Sequence, residues 1–149
     1  MEKLPPIAKV YEAYSAIADQ RVELKTEEAY VTSSDEEKTY TIRFQEFTYS
    51  SNDNATVWQH YAGYPILAVL MLQGKLPLKE ELLAFFKHVP WKEMNTRFHN
   101  DYDLAIDAFL MERGHADEIK KAMQECLDAY KKLDIVVKGN RAKIIKKIE

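Results

Sequence analysis

RVELKTEEAYVTSSDEEKTYTIRF, residues 21–44, is the stretch on which the fold class turns. RVELK alternates around Val22 and Leu24, and EEAYVTS is rich in β-formers. TYTIRF sets Tyr40, Ile42 and Phe44 on one face and Thr39, Thr41 and Arg43 on the other. SSDEEK between the last two runs is a polar turn. The pattern predicts a three-stranded antiparallel meander. Its alternation fails after Phe44, because Phe47 and Tyr49 fall on the opposite parity. That break predicts a bulge near Gln45–Glu46 or the end of pairing.

On the N-terminal side, Pro5 and Pro6 suit the first turn of a helix. Ile7, Val10, Tyr11, Tyr14 and Ile17 follow at helical spacing, which predicts an amphipathic helix over 5–19. On the C-terminal side, SSNDN (50–54) is a polar loop with Asn54 as the expected N-cap, and the periodicity is then helical into the 130s. Pro65 inside ATVWQHYAGYPILAVLMLQG predicts a kink or a two-helix break, and Gly74 a C-cap. Further helices are expected from Pro77, through Tyr102–Leu110, and along Ile119–Leu133, with PWKEMN as a short turn. DIVVKGNRAKIIKKIE reads as two β-branched runs flanking Gly139–Asn140, a hairpin added to the sheet in preference to a basic helix.

The expectation is therefore an α+β fold. A helix and a small meander occupy 1–50, a bundle of four to five helices 54–133, and a basic segment 134–149. One domain of 149 residues has length enough for a sizeable core. The net charge of −3 is too small to steer a charged partner, but it is uneven. Lys131–Glu149 carries seven basic residues against Asp134 and Glu149, a net +5 that leaves −8 on the rest. A single cysteine, Cys126, excludes an intrachain disulfide and a cysteine-based zinc site. The longest apolar run, Tyr64–Leu72, has nine residues, against roughly 20 for a membrane span. MEKLPPIAKV lacks a signal-peptide pattern. The expected setting is the cytoplasm.

Several chemistries lose their motifs. Gly63, Gly74, Gly114 and Gly139 are too dispersed to build a P-loop or a Rossmann turn. No serine follows Ser51, and Cys126 lies on an apolar helical stripe, where a buried thiol is expected. No metal site and no cofactor are expected. FHNDYDLAID (98–107) admits a row of His99, Asp103 and Asp107 on one helix face. Helix-start chemistry is more economical, with Asn100 as N-cap and Asp101 and Asp103 in the first turn. Tyr102, Ile106 and Phe109 form one apolar face of that helix and Leu104, Ala108 and Met111 another, which predicts a central helix with Asp107 semi-buried. His60 and Asp107 are thus the catalytic candidates, and Trp58, Tyr61 and Tyr64, beside the Pro65 break, the pocket candidates.

Three functions fit these residues. The first is a non-enzymatic binding or scaffold protein making protein–protein contacts, with itself or another chain. The second is nucleic-acid binding through Lys138, Arg141, Lys143, Lys146 and Lys147. It is disfavoured by the acidic body, and solvation of a terminal edge is the simpler role for those lysines. The third is a small-molecule enzyme with its pocket near Pro65.

Overall fold

A computed structural model describes residues 3–147. Met1, Glu2 and the last two residues of the basic segment lie outside the described residues. The fold is α+β, with an N-terminal helix, antiparallel strands, several helices and C-terminal strands that join the sheet.

Helix α1 (Ile7–Ala18) follows Pro5–Pro6 and stops at Asp19. Gln20 takes a left-handed φ of 56° there. Its N–H bonds the Ile17 carbonyl at 3.0 Å, and the Arg21 N–H bonds that of Ala16 at 2.9 Å. This Schellman-type stop satisfies the end carbonyls and delivers Arg21 to the sheet. The helix is not merely amphipathic. Ala8, Val10 to Ala16 and Ala18 are all buried, including Glu12 and Ser15. Its alanines let neighbouring elements approach from several sides, and α1 is the central helix of the molecule.

Strands β1 (Val22–Leu24), β2 (Glu28–Thr32), β3 (Lys38–Gln45) and β4 (Thr48–Ser51) form the expected meander with one strand more. The parity break is neither a bulge nor the end of pairing. A two-residue loop, Glu46–Phe47, with Glu46 at φ 54°, reverses the chain so that Gln45 pairs with Thr48. Phe44 then faces Tyr49 across the strands with ring centroids 5.8 Å apart. Ala29, Val31, Ile42 and Tyr49 form the core face, all 0–1% exposed.

Both C-terminal runs are strands in the sheet, but they do not pair with each other. β5 (Val136–Gly139) lies parallel to β4, and β6 (Ile145–Lys146) lies antiparallel to the start of β3. Gly139 is not a turn residue. A Cβ there would lie 3.1 Å from Val57 Cγ2, so glycine permits close packing of β5. β4 leaves β3 after Ser51, and β6 takes the edge it vacates. At the gap, Asn52 Oδ1 accepts from the Thr41 N–H (2.9 Å), and Asn140 Nδ2 donates to the Thr41 carbonyl (3.1 Å). Two side chains thus complete the ladder where no strand can.

The helical half departs from expectation in its starts and stops. The stretch before Pro65 is one π-helical turn, Ala55–Gln59, and α2 (Tyr64–Leu72) begins afresh with Pro65 in its first turn. That is the two-helix break. Asn54 makes no side-chain cap; Asp53 accepts from the Thr56 N–H instead (3.2 Å). A 3-10 turn, Glu80–Phe86, replaces the helix expected after Pro77. PWKEMN is not a turn but the start of α3 (Trp91–Arg97). α4 (Tyr102–Arg113) and α5 (Ala116–Lys131) complete the set. α4 is not central: Leu104 is 48% and Met111 88% exposed, so its second apolar face meets solvent. One hydrophobic core, from Ala8 to Tyr130, draws on sheet and helices alike.

Candidate functional site

A cleft of about 280 Å³ opens where α1, the β2–β3 turn, the start of α2 and α3 converge. Glu12 lines it from the central helix and Arg21 from the helix stop. Ser33, Ser34, Lys38 and Tyr40 come from the sheet, Asn54 and Tyr64 from the chain around the π-turn, and Trp91, Lys92, Asn95, Thr96 and Asn100 from α3 and its C-terminal loop.

Glu12 is only 8% exposed. Asn95 Nδ2 donates to its Oε1 at 3.0 Å. Lys9 Nζ lies 3.2 Å from Oε2, an ion pair that lacks the alignment of a hydrogen bond, so Oε2 is buried without one. Burial alone would lower the Lys9 pKa, but the Glu12 carboxylate outweighs it and holds the ammonium above its ordinary value. Arg21, equally buried, donates from Nη1 to the Thr32 carbonyl at 2.6 Å. Its Nε is 3.6 Å from Asp19 Oδ2 and likewise has no hydrogen bond. Glu12 Oε2 and Arg21 Nε are thus each met by an opposite charge without an aligned hydrogen bond.

The rim is built by the β2–β3 turn. Ser33 Oγ and the Glu37 N–H donate to Asp35 Oδ1 at 2.6 and 3.0 Å, and Lys92 Nζ reaches Asp35 Oδ2 at 2.9 Å. Burial would raise the Asp35 carboxyl, but these donors together bring it down to about 2. The Lys92 N–H also donates to Ser34 Oγ at 3.1 Å, which ties α3 to the turn. Inside, Trp91 Nε1 donates to Ser15 Oγ at 2.7 Å, so the indole is fixed against α1. Burial pushes the Tyr64 phenol well above its ordinary value, with the Arg21 charge opposing, and raises Tyr40 as well. Both hydroxyls stay protonated at neutral pH.

The residues singled out from the sequence fall mostly elsewhere. Of Trp58, Tyr61 and Tyr64, only Tyr64 lines the cleft; Trp58 is 72% exposed and Tyr61 is buried. His60 is exposed, and Asp107 is exposed on α4 rather than semi-buried; neither lines the cleft. His60, His88, His99 and His115 all occupy left-handed backbone, with φ between 54° and 61°. Histidine is among the few residues enriched there, so each marks a turn or an element end. The row of His99, Asp103 and Asp107 does not form, because α4 begins only at Tyr102. Its cap is Asp101, not Asn100: the Asp101 side chain accepts from the Leu104 N–H at 3.3 Å. Among the described residues, no three His, Cys, Asp or Glu side chains are placed to hold a metal ion. Cys126 is buried, and burial pushes its thiol to about 12.

Lys138, Arg141, Lys143, Lys146 and Lys147 are all exposed. Lys138 borders a wide groove on the outer sheet face together with Arg43 and Lys25, but Glu27, Glu28 and Glu46 line it too. A phosphate there would meet three carboxylates. Among the described residues, no helix is long and apolar enough to cross a membrane.

Glu12 and Arg21 were missed by sequence reasoning. The available signal was Glu12 as the lone charge in VYEAYSAIA (10–18), an otherwise apolar or small run.

Residues 2–136 match the model of the family described as uncharacterised conserved protein UCP014422. No curated protein matches the chain, and no solved structure does.

Proposed function

The chain belongs to the family of uncharacterised conserved protein UCP014422, and on that premise we propose that it is a non-enzymatic binding protein that takes a small polar ligand in the Glu12–Arg21 cleft. The observation that carries this reading is the pair of buried, oppositely charged side chains, Glu12 and Arg21, that line one cleft. A concave site with a few convergent polar and charged groups is the usual form of a small-ligand site. What supports a binding role is that charged groups of the lining are already paired with neighbours, Glu12 with Lys9, Arg21 with Asp19 and Lys92 with Asp35, while the four histidines and Cys126 lie outside it. The proposed setting is the cytoplasm, where a lone buried thiol stays reduced.

The chain has two tryptophans, and Trp91 lines the cleft while Trp58 is solvent-exposed. Trp58→Phe leaves Trp91 as the only indole. Titrating a panel of small polar metabolites should change Trp91 emission saturably for at least one chemical class. A panel that leaves the emission unchanged throughout overturns the reading.

A second reading, protein–protein contact, rests on a different observation. Phe47 is 65% and Val136 50% exposed, and the Val136 N–H bonds the Phe47 carbonyl at 2.8 Å, so both lie together beside the β5 edge. A concentration-dependent mass by light scattering that Phe47→Ser abolishes supports self-association. A mass fixed at one copy, the same with and without Phe47→Ser, argues against it.

A further inference from the structure

We propose that the ligand of the cleft is a small hydroxylated organic anion, held through its charge by Lys38, with Lys146 beside it on β6, and through its hydroxyl groups by the polar walls. The inference rests on the cleft being a binding site and adds the chemistry of what enters it.

The charge comes from comparing partners. Of the cleft's ionised residues, Glu12 has Lys9, Arg21 has Asp19 and Lys92 has Asp35, all within 4.0 Å. Among the described residues, Lys38 has no such partner. It also pairs in register with Lys146 on β6, which has none either. Directly opposed cross-strand residues project to the same side, and like charges in that position repel. Lys38 shares its strand face with Tyr40, two residues on, and both line the cleft. Among the described residues Lys38 is thus the cleft's one lysine without an ion-pair partner, Lys146 stands beside it on β6 outside the lining, and an anion would relieve their repulsion.

The hydroxyls come from the walls. The Glu12 charge is already met by Lys9. Ser34, Asn54, Asn95 and Asn100 line the cleft with neutral donors and acceptors, which suits a ligand bearing several hydroxyls. A volume of about 280 Å³ lies just below the ~300–1,000 Å³ of drug-sized pockets, so the ligand is of metabolite size.

Isothermal titration of the full chain with four probes tests this. Gluconate and glucose 6-phosphate carry hydroxyls and a charge, one as carboxylate and one as phosphate. Glucose lacks the charge and valerate lacks the hydroxyls. At least one hydroxylated anion should bind tenfold or more tighter than both glucose and valerate, and which of the two does so identifies the anionic group. Lys38→Gln, a substitution at the strand edge that leaves the core intact, should weaken that binding at least tenfold. Lys146→Gln should weaken it in the same direction. The proposal is overturned if neither hydroxylated anion binds, if glucose binds as well as gluconate and glucose 6-phosphate, or if Lys38→Gln has no effect. A Trp91 response to other compounds but not to these two anions rejects the ligand class while leaving the cleft as a site. No Trp91 response to any compound rejects both.

Discussion

Asn95 on α3 donates its side-chain amide to Glu12 on α1 across 83 positions of sequence, at 3.0 Å. This contact holds a buried carboxylate at the wall of the cleft and locks α3 to the central helix. Asn95→Ala leaves Glu12 Oε1 without its donor. Loss of about 1–3 kcal/mol is expected in urea unfolding, the desolvation cost of an unmet buried acceptor. The same substitution in a Glu12→Gln background should cost less, because an amide loses less than a carboxylate when its partner goes.

Asp35 should titrate near 2 in the folded protein, from its ordinary 3.8, as read by the carboxyl carbon in NMR. Its folded pKa is depressed, so its contribution to stability is present above the ordinary value and is lost as pH falls from about 4 toward 2. Lys92→Ala removes one of the donors and should move that midpoint upward. A midpoint unchanged in Lys92→Ala would mean that Lys92 does not hold the turn against α3 in solution.

Asn140 and Asn52 bracket the Thr41 peptide groups at the point where β4 leaves the sheet. Asn140→Ala strips the buried Thr41 carbonyl and Ser50 Oγ of a donor. A loss of about 1–3 kcal/mol is expected. Amide exchange should quicken at Lys147, whose N–H bonds the Glu37 carbonyl through β6, and stay slow in the β2–β3 ladder. Equal acceleration through the whole sheet would show that the clasp does not act locally.

Cys126 should resist alkylation in the native state at pH 8, since burial keeps its thiol protonated up to about 12. Modification should proceed at the rate of global opening, because α5 packs into the single core. By the same reasoning, urea unfolding monitored by Trp91 emission and by circular dichroism should give one coincident transition. Two separated transitions would divide the 1–50 segment from the helices.

The meander, the break at Pro65 and the buried cysteine were legible because each rests on local chemistry: alternation, a missing N–H, an apolar stripe. The central helix was not. α4 carries apolar residues on two faces, yet one of them meets solvent, whereas α1 is buried nearly all round through alanines that a count of large residues overlooks. The semi-buried carboxylate was therefore expected at Asp107, whereas the buried ones are Glu12 and Asp53. The cleft itself is lined jointly by residues 12, 38, 64 and 95, and no periodicity encodes that convergence. The hairpin at Gly139–Asn140 failed for a related reason. The dipeptide is well suited to a turn, but Gly139 is needed for its close approach to Val57 and Asn140 for its bond to Thr41.

The side-chain amide resonances of Asn95 report on Glu12 directly. Titration of labelled protein with gluconate and with glucose 6-phosphate should shift that NH₂ pair together with the Lys38 backbone amide, saturably, for at least one of the two. Saturating amounts of both anions that leave the Asn95 pair in place would contradict the account.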